Sequence, residues 1–127
     1  TTFDVNSLGA LRVIQALMPN LKIGAQKTVV NMSSRMGSIA DNTGGAIGYR
    51  ASKAALNNFN KSLSIEFSEQ SFVFVVLHPG WVRTDMTSDR ATYSTDESAE
   101  ALFELITGLS QSDNGRFYDL HGESIAW

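Results

Sequence analysis

Phe72-Val73-Phe74-Val75-Val76-Leu77 is an unbroken apolar run that closes on His78-Pro79-Gly80. A run this short, built from β-branched and aromatic side chains, reads as a strand, and its lack of polar alternation implies that both faces are covered. Upstream, Thr28-Val29-Val30-Asn31-Met32 has the same β-branched character. Between the two, residues 48–68 are rich in Ala and Leu, with Ala51, Ala55, Phe59 and Leu63 on one helical stripe. A strand, a long helix and a second buried strand make a parallel pair with a right-handed crossover.

The pattern extends in both directions. Residues 5–21 place Val5, Leu8, Leu11, Ile14, Leu17 and Met18 at helical spacing, and Pro19-Asn20 is expected to end that helix. Ser94-Thr95-Asp96-Glu97 is a capping box opening a third helix that runs to residue 109. Gly115-Arg116-Phe117-Tyr118-Asp119 reads as a short last strand. The order α-β-α-β-α-β gives an α/β fold, a piece of a doubly wound parallel sheet, with 28–32, 72–77 and 115–119 as neighbouring strands. Nothing indicates repeats or a second domain.

Composition narrows the function. A chain of 127 residues with 43% hydrophobic and 18% charged residues suits one globular domain. The net charge of −3 is spread without a basic run, so no nucleic-acid partner is expected. Cysteine is absent, which removes thiol nucleophiles and Cys-type zinc sites and fits a cytoplasmic location. No apolar run approaches the roughly 20 residues of a membrane span, so no membrane association is expected. The chain opens on Thr1, with no initiator Met, and therefore reads as cut from a longer one.

Tyr49 and Lys53 lie four residues apart at a helix start and share one face. A phenol is a poor acid–base catalyst near neutral pH unless a neighbouring positive charge favours its anion, which an ammonium does. Taken alone, the pair reads first as an exposed Tyr and Lys near a helix start. Its setting changes that. Asn31-Met32-Ser33-Ser34 brings serines to the carboxyl end of a parallel strand, where open α/β sheets place their ligands. The loop between holds four Ser or Thr and four Gly over residues 33–48. His78 reads as structural and His121 as isolated. No GxSxG, P-loop or HExxH motif occurs, and no metal site is expected.

Together these segments resemble the short-chain dehydrogenase/reductase family, over nearly the whole chain. Asp4-Val5-Asn6-Ser7-Leu8-Gly9 looks like the helix carrying the family's catalytic Asn, and Val29-Val30-Asn31-Met32-Ser33-Ser34 like the strand carrying its Ser. Tyr49-Arg50-Ala51-Ser52-Lys53-Ala54-Ala55 is similar to the YxASKAA signature, and His78-Pro79-Gly80-Trp81-Val82-Arg83-Thr84-Asp85 to the PGxVxT segment beside nicotinamide. The closing Gly115–Asp119 stretch and Trp127 look most like the C-factor and sniffer-type carbonyl reductase branch.

The resemblance implies hydride transfer between NADP or NAD and a carbonyl or alcohol. Tyr49 would be general acid and base, Lys53 would favour its phenolate and bind the nicotinamide ribose, and Ser34 would polarise the carbonyl, with Ser33 as neighbouring alternative. Asn6 would hold a water in the proton relay. The cofactor would meet Asn6, Met32, Tyr49, Lys53, Pro79, Gly80, Val82 and Thr84. The Ser34–Tyr49 gap is slightly longer than the family's commonest spacing, the extra residues falling in Asp41-Asn42-Thr43-Gly44-Gly45 at the substrate entrance. Trp81, Met86 and the 85–95 segment hint at an apolar carbonyl compound. Helices 4–21 and 48–68 would pair with those of another subunit, giving a homodimer or homotetramer.

The resemblance also implies what residues 1–127 lack: the TGxxxGxG turn, the NNAG segment and the strands that precede them. They would form the C-terminal catalytic part of a single Rossmann-like domain, leaving one sheet edge unpaired. A truncated, non-catalytic binding or signalling module of C-factor type is the other reading.

Overall fold

The computed structural model describes all of residues 1–127. A π-helical segment, Asp4–Gly9, runs into α1, Ala10–Ile23, and is followed by β1, Thr28–Met32. Then come α2, Ile47–Glu66; β2, Val73–His78; α3, Thr95–Gly108; and β3, Phe117–Asp119. The strands form one parallel sheet in the order β1-β2-β3, with Thr28 beside Val73 and Val76 beside Phe117. The expected strand neighbours are thus present, and β1 carries no strand on its other edge.

The centre of the molecule is β2. Phe72, Phe74, Val75, Val76 and Leu77 are fully buried, and their alternation sorts them onto two faces. Phe72 and Phe74 pack with Ile14, Met18 and Leu21 of α1 and with Leu63 and Phe67, and the rings of Phe72 and Phe74 stack 5.5 Å apart. Val73, Val75 and Leu77 pack with Leu102, Leu105 and Ile106 of α3 on the opposite face. This double coverage is why the strand contains no polar residue until His78. The Ser94 hydroxyl accepts from the Glu97 N–H at 3.1 Å while the Glu97 carboxylate accepts from the Ser94 N–H at 2.7 Å, so α3 starts on the expected capping box.

Two helical expectations are corrected. Pro19 does not end α1, which continues to Ile23. The proline forfeits one backbone hydrogen bond, but Met18 and Leu21 pack against the phenylalanine cluster on either side of it and hold the helical turn. The stop comes at Gly24, whose N–H returns to the carbonyls of Asn20 and Leu21. Of the apolar stripe on this helix only Ile14 is buried, whereas Val5 is 70% exposed and Leu17 49% exposed.

On α2 the fully buried stripe is Ser52, Leu56, Asn60 and Ser64, with Asn57 beside it. Of the expected stripe Ala51 is exposed, whereas Ala55, Phe59 and Leu63 are partly buried and Leu63 packs on the phenylalanine cluster. Two of the polar members meet polar neighbours, whereas the buried Asn57 amide has no hydrogen-bond partner. Ser52 meets the π-helical segment, and the Asn60 Oδ1 accepts from Asn31 Nδ2 of β1 at 2.9 Å.

Phe74→Ala should leave a cavity between α1 and α2 and cost about 3–5 kcal/mol. Urea denaturation of the full-length protein checks this; a loss below about 1 kcal/mol would mean that the cluster is not the core of the domain.

Candidate active site

The carboxyl ends of β1 and β2 open onto a cavity of about 820 Å³, closed on one side by the start of α2. Six of the residues expected at the site line it: Ser34, Tyr49, Pro79, Gly80, Val82 and Thr84. The other three, Asn6, Met32 and Lys53, are not among its lining residues.

Ser34 sits at the end of β1 in extended conformation and caps a single turn of 3₁₀ helix, Arg35–Gly37. Its Oγ accepts from the Met36 N–H at 3.2 Å, which leaves the hydroxyl proton to donate elsewhere. Ser33 also lines the cavity, and its buried Oγ has no hydrogen-bond partner. The loop behind these serines presses hard on α2: a Cβ on Gly37 would lie 2.9 Å from the Lys53 backbone carbon and from the Asn57 amide. Only glycine permits this approach, which holds Ser34 and Tyr49 to one cavity.

Tyr49 lies in the first turn of α2, partly exposed to the cavity. Lys53, one turn on, donates from Nζ to the Met32 carbonyl at 3.1 Å, with the ammonium 5.9 Å from the Tyr49 ring centroid. Met32 therefore meets Lys53 through its main chain. Burial pulls the Lys53 ammonium below the usual lysine range.

Asn6 belongs to the π-helical segment, an irregularity often found at functional sites. The wider turn lets two consecutive side chains address one residue of α2. Asn6 Nδ2 donates to Ser52 Oγ at 3.2 Å, and Ser7 Oγ donates to the Ser52 carbonyl at 2.7 Å. The Ser52 hydroxyl in turn donates to the Tyr49 carbonyl at 2.8 Å. Ser7 and Ser52 were not singled out in the sequence. The signal was available, since Ser52 lies three residues after Tyr49 inside the quoted motif.

The opposite wall is the turn after β2. Gly80 has φ +83°, and a Cβ there would lie 2.7 Å from the Tyr93 ring. Ser98, in the first turn of α3, donates to the Pro79 carbonyl at 2.7 Å and fixes the turn to that helix. Val82 and Tyr93 then form a single bridge that folds the intervening segment over the cavity, and the Thr87 hydroxyl donates to the Val82 carbonyl. Arg35, Asp41, Thr43 and Arg50 line the remaining side; Asp41 and Thr43 belong to the stretch expected at the substrate entrance, whereas Arg35 and Arg50 were given no role in the sequence.

The sequence profile described as short chain dehydrogenase matches residues 1–94. The chain belongs to the short-chain dehydrogenase family. It is 46% identical over 127 residues to the C-signal protein of Myxococcus xanthus, covering 99% of this chain and 76% of that protein. Carbonyl reductase Sniffer of Drosophila melanogaster superposes with a TM-score of 0.93 at 36% identity, over 98% of this chain and 55% of that one. The NADPH-bound carbonyl reductase from chicken fatty liver does so with a TM-score of 0.89, also at 36% identity and over the same shares of the two chains. The chain thus spans about three-quarters of the C-signal relative and about half of the two reductases. Similarity to both groups bears out the resemblance to the C-factor and sniffer-type branch, and the fold is a partial Rossmann-like unit of this family. No helix is long and apolar enough to cross a membrane.

His78 also lines the cavity, with a buried Nδ1 that has no partner. Burial first, and then the Arg35 charge, holds its pKa below the usual imidazole range against the opposing pull of Asp119. The folded chain therefore binds this proton less readily than the unfolded one. Its contribution is whole above the unfolded imidazole pKa of about 6.5 and declines as the pH falls below it, levelling off once folded His78 is protonated. The thermal midpoint should drop between about pH 7 and pH 5, and drop less in His78→Asn. Equal slopes in the two proteins would refute this account.

Proposed function

We propose that this chain supplies the catalytic part of an NADP- or NAD-dependent oxidoreductase acting on a small carbonyl or alcohol. The observation that carries the reading is one cavity lined by Ser34, Tyr49, Val82 and Thr84, with Lys53 anchored behind Tyr49. In this proposal residues 1–127 are the C-terminal part of a single domain in a cytoplasmic enzyme. The exposed sides of α1 and α2, including Val13, Leu17 and Ile65, would serve a homodimer or homotetramer.

The residues present fit the nicotinamide end of a cofactor. The Lys53 ammonium, the orphan Ser33 hydroxyl and the Pro79-Gly80 turn give it donors and a close-approaching backbone, with Val82 and Thr84 beside them. Asn6 and the exposed Met32 would complete that end. A Gly-rich pyrophosphate turn is not among these residues. When bound, the nicotinamide donates or accepts the hydride.

The protein residues manage the proton and the oxygen. The Ser34 hydroxyl donates to the carbonyl oxygen, its own lone pair held by the Met36 N–H. Tyr49 gives its phenolic proton to that oxygen as negative charge develops during reduction, and takes it back in alcohol oxidation. The Lys53 ammonium, 5.9 Å from the Tyr49 ring centroid, would stabilise the charge left on the phenol oxygen. Asn6, held by Ser52, would orient a water that resupplies the proton. A binding or signalling role is the second reading, favoured by the similarity to the C-signal protein.

Tyr49→Phe in the full-length protein should lower turnover by at least about 10²-fold, the low end of general acid catalysis, with cofactor affinity little changed. Lys53→Met should instead weaken cofactor binding and move the basic limb of the pH–rate profile upward. Turnover of Tyr49→Phe within about threefold of wild type, well short of the general-acid range, would remove Tyr49 from the mechanism. Residues 1–127 alone should not bind NAD(H) or NADP(H) tightly, and micromolar affinity in a fluorescence titration would overturn the assignment of the pyrophosphate site to residues outside them.

A further inference from the structure

The cavity has an unbalanced charge at its entrance. Arg35, Arg50 and Asp41 all line it. Arg35 is satisfied twice, by Asp41 at 3.2 Å and by Asp119 at 3.8 Å. Arg50 has no carboxylate within ion-pair distance; none of the protein's ion pairs includes it. It is nevertheless half-buried, a position in which an uncompensated cation is costly.

The guanidinium is also held still. Its Nε donates to the carbonyls of Gly44 and Gly45 at 3.0 and 3.2 Å, and one Nη donates to the Thr43 hydroxyl at 3.0 Å. Those acceptors belong to a loop with three successive left-handed residues, Gly44, Gly45 and Ala46, the last a non-glycine at φ +43°. They occupy the Nε side of the group, whereas the second Nη takes part in no hydrogen bond. A planar cation fixed along one edge and unsatisfied along another is pre-organised for an oxyanion, because little further side-chain entropy is lost on binding. Arg50 and Tyr49 line the same cavity, so one molecule bound there can meet both.

We propose that Arg50 is a specificity-determining residue that receives an anionic group, a carboxylate or a phosphate, at the end of the substrate remote from its reacting carbonyl or alcohol. The inference rests on the oxidoreductase reading above and refines its substrate class. The apolar middle of such a substrate lies against Trp81 and Met86, which line the same cavity. Arg35 serves a different purpose: its charge is already neutralised by the two aspartates, and it ties the entrance loop to the end of β3.

The test uses aldehydes of matched size in the full-length protein: 4-carboxybenzaldehyde and 4-formylphenyl phosphate against the neutral methyl 4-formylbenzoate. Wild type should favour at least one anionic probe over the ester in kcat/KM by about tenfold or more, mainly through KM, as expected for a charge-assisted contact. In Arg50→Gln that ratio should collapse towards one, and Arg50→Lys should restore part of it. The better anionic probe separates a carboxylate from a phosphate preference. If Arg50→Gln lowers anionic and neutral probes in parallel, Arg50 only holds the loop and this inference fails while the oxidoreductase reading stands. Wild type that turns over the ester without preferring either anion has the same meaning. Turnover of none of the probes with either cofactor overturns the oxidoreductase reading, and this inference with it.

Discussion

The close seating of α2 across the carboxyl end of β1 is the constraint on which the cavity depends. Gly37 brings the loop after β1 onto the Lys53 backbone, Lys53 reaches back to the Met32 carbonyl, and Asn60 meets Asn31 inside the sheet–helix interface. Each contact joins the strand end to the helix, and together they set the distance between Ser34 and Tyr49. A parallel sheet makes this possible. Both strands end on the same side, so the serines after β1 and the Pro79-Gly80 turn after β2 face one opening.

The interior of α2 shows what that closeness demands. Bulky apolar side chains at positions 52, 60 and 64 would hold the helix off, and buried small polar ones need partners. Ser52 has three, through Asn6, Ser7 and the Tyr49 carbonyl. Ser64 donates to the Lys61 carbonyl at 2.7 Å, and its own carbonyl accepts from Asn114 Nδ2 at 2.8 Å. The same Asn114 caps the sheet by accepting from the Phe74 N–H. Polar bonds therefore run from the π-helical segment, through α2, to the turn before β3, beside the phenylalanine cluster.

Stability and chemistry occupy opposite parts of this arrangement. The aromatic cluster of Phe67, Phe72 and Phe74 lies towards the start of β2, with ring centroids 5.4 to 6.2 Å apart. The strained and charged groups lie at the other end: left-handed Ala46, the unpartnered His78 nitrogen and the half-buried Lys53. A rigid apolar base allows the far end to hold groups that would be costly alone.

The amino-acid sequence by itself determined the strands, their parallel order, the α3 cap and the motif residues. These follow from local chemistry: a wholly apolar β-branched run admits few alternatives, and a Ser-x-x-Glu cap is satisfied within one turn. Ser34, Tyr49, Pro79, Gly80, Val82 and Thr84 were legible as a group through the resemblance of their motifs to those of the short-chain dehydrogenase family. What only the tertiary structure decided depends on partners distant along the chain. The one-residue displacement of the buried α2 stripe needed Asn31 and the π-helical segment to be in place, and the passage of α1 through Pro19 needed the phenylalanine cluster beyond it. Arg50 was given no role of its own in the sequence. It becomes a group of the cavity once the entrance loop has folded, held by Gly44, Gly45 and Thr43 with no carboxylate within ion-pair distance.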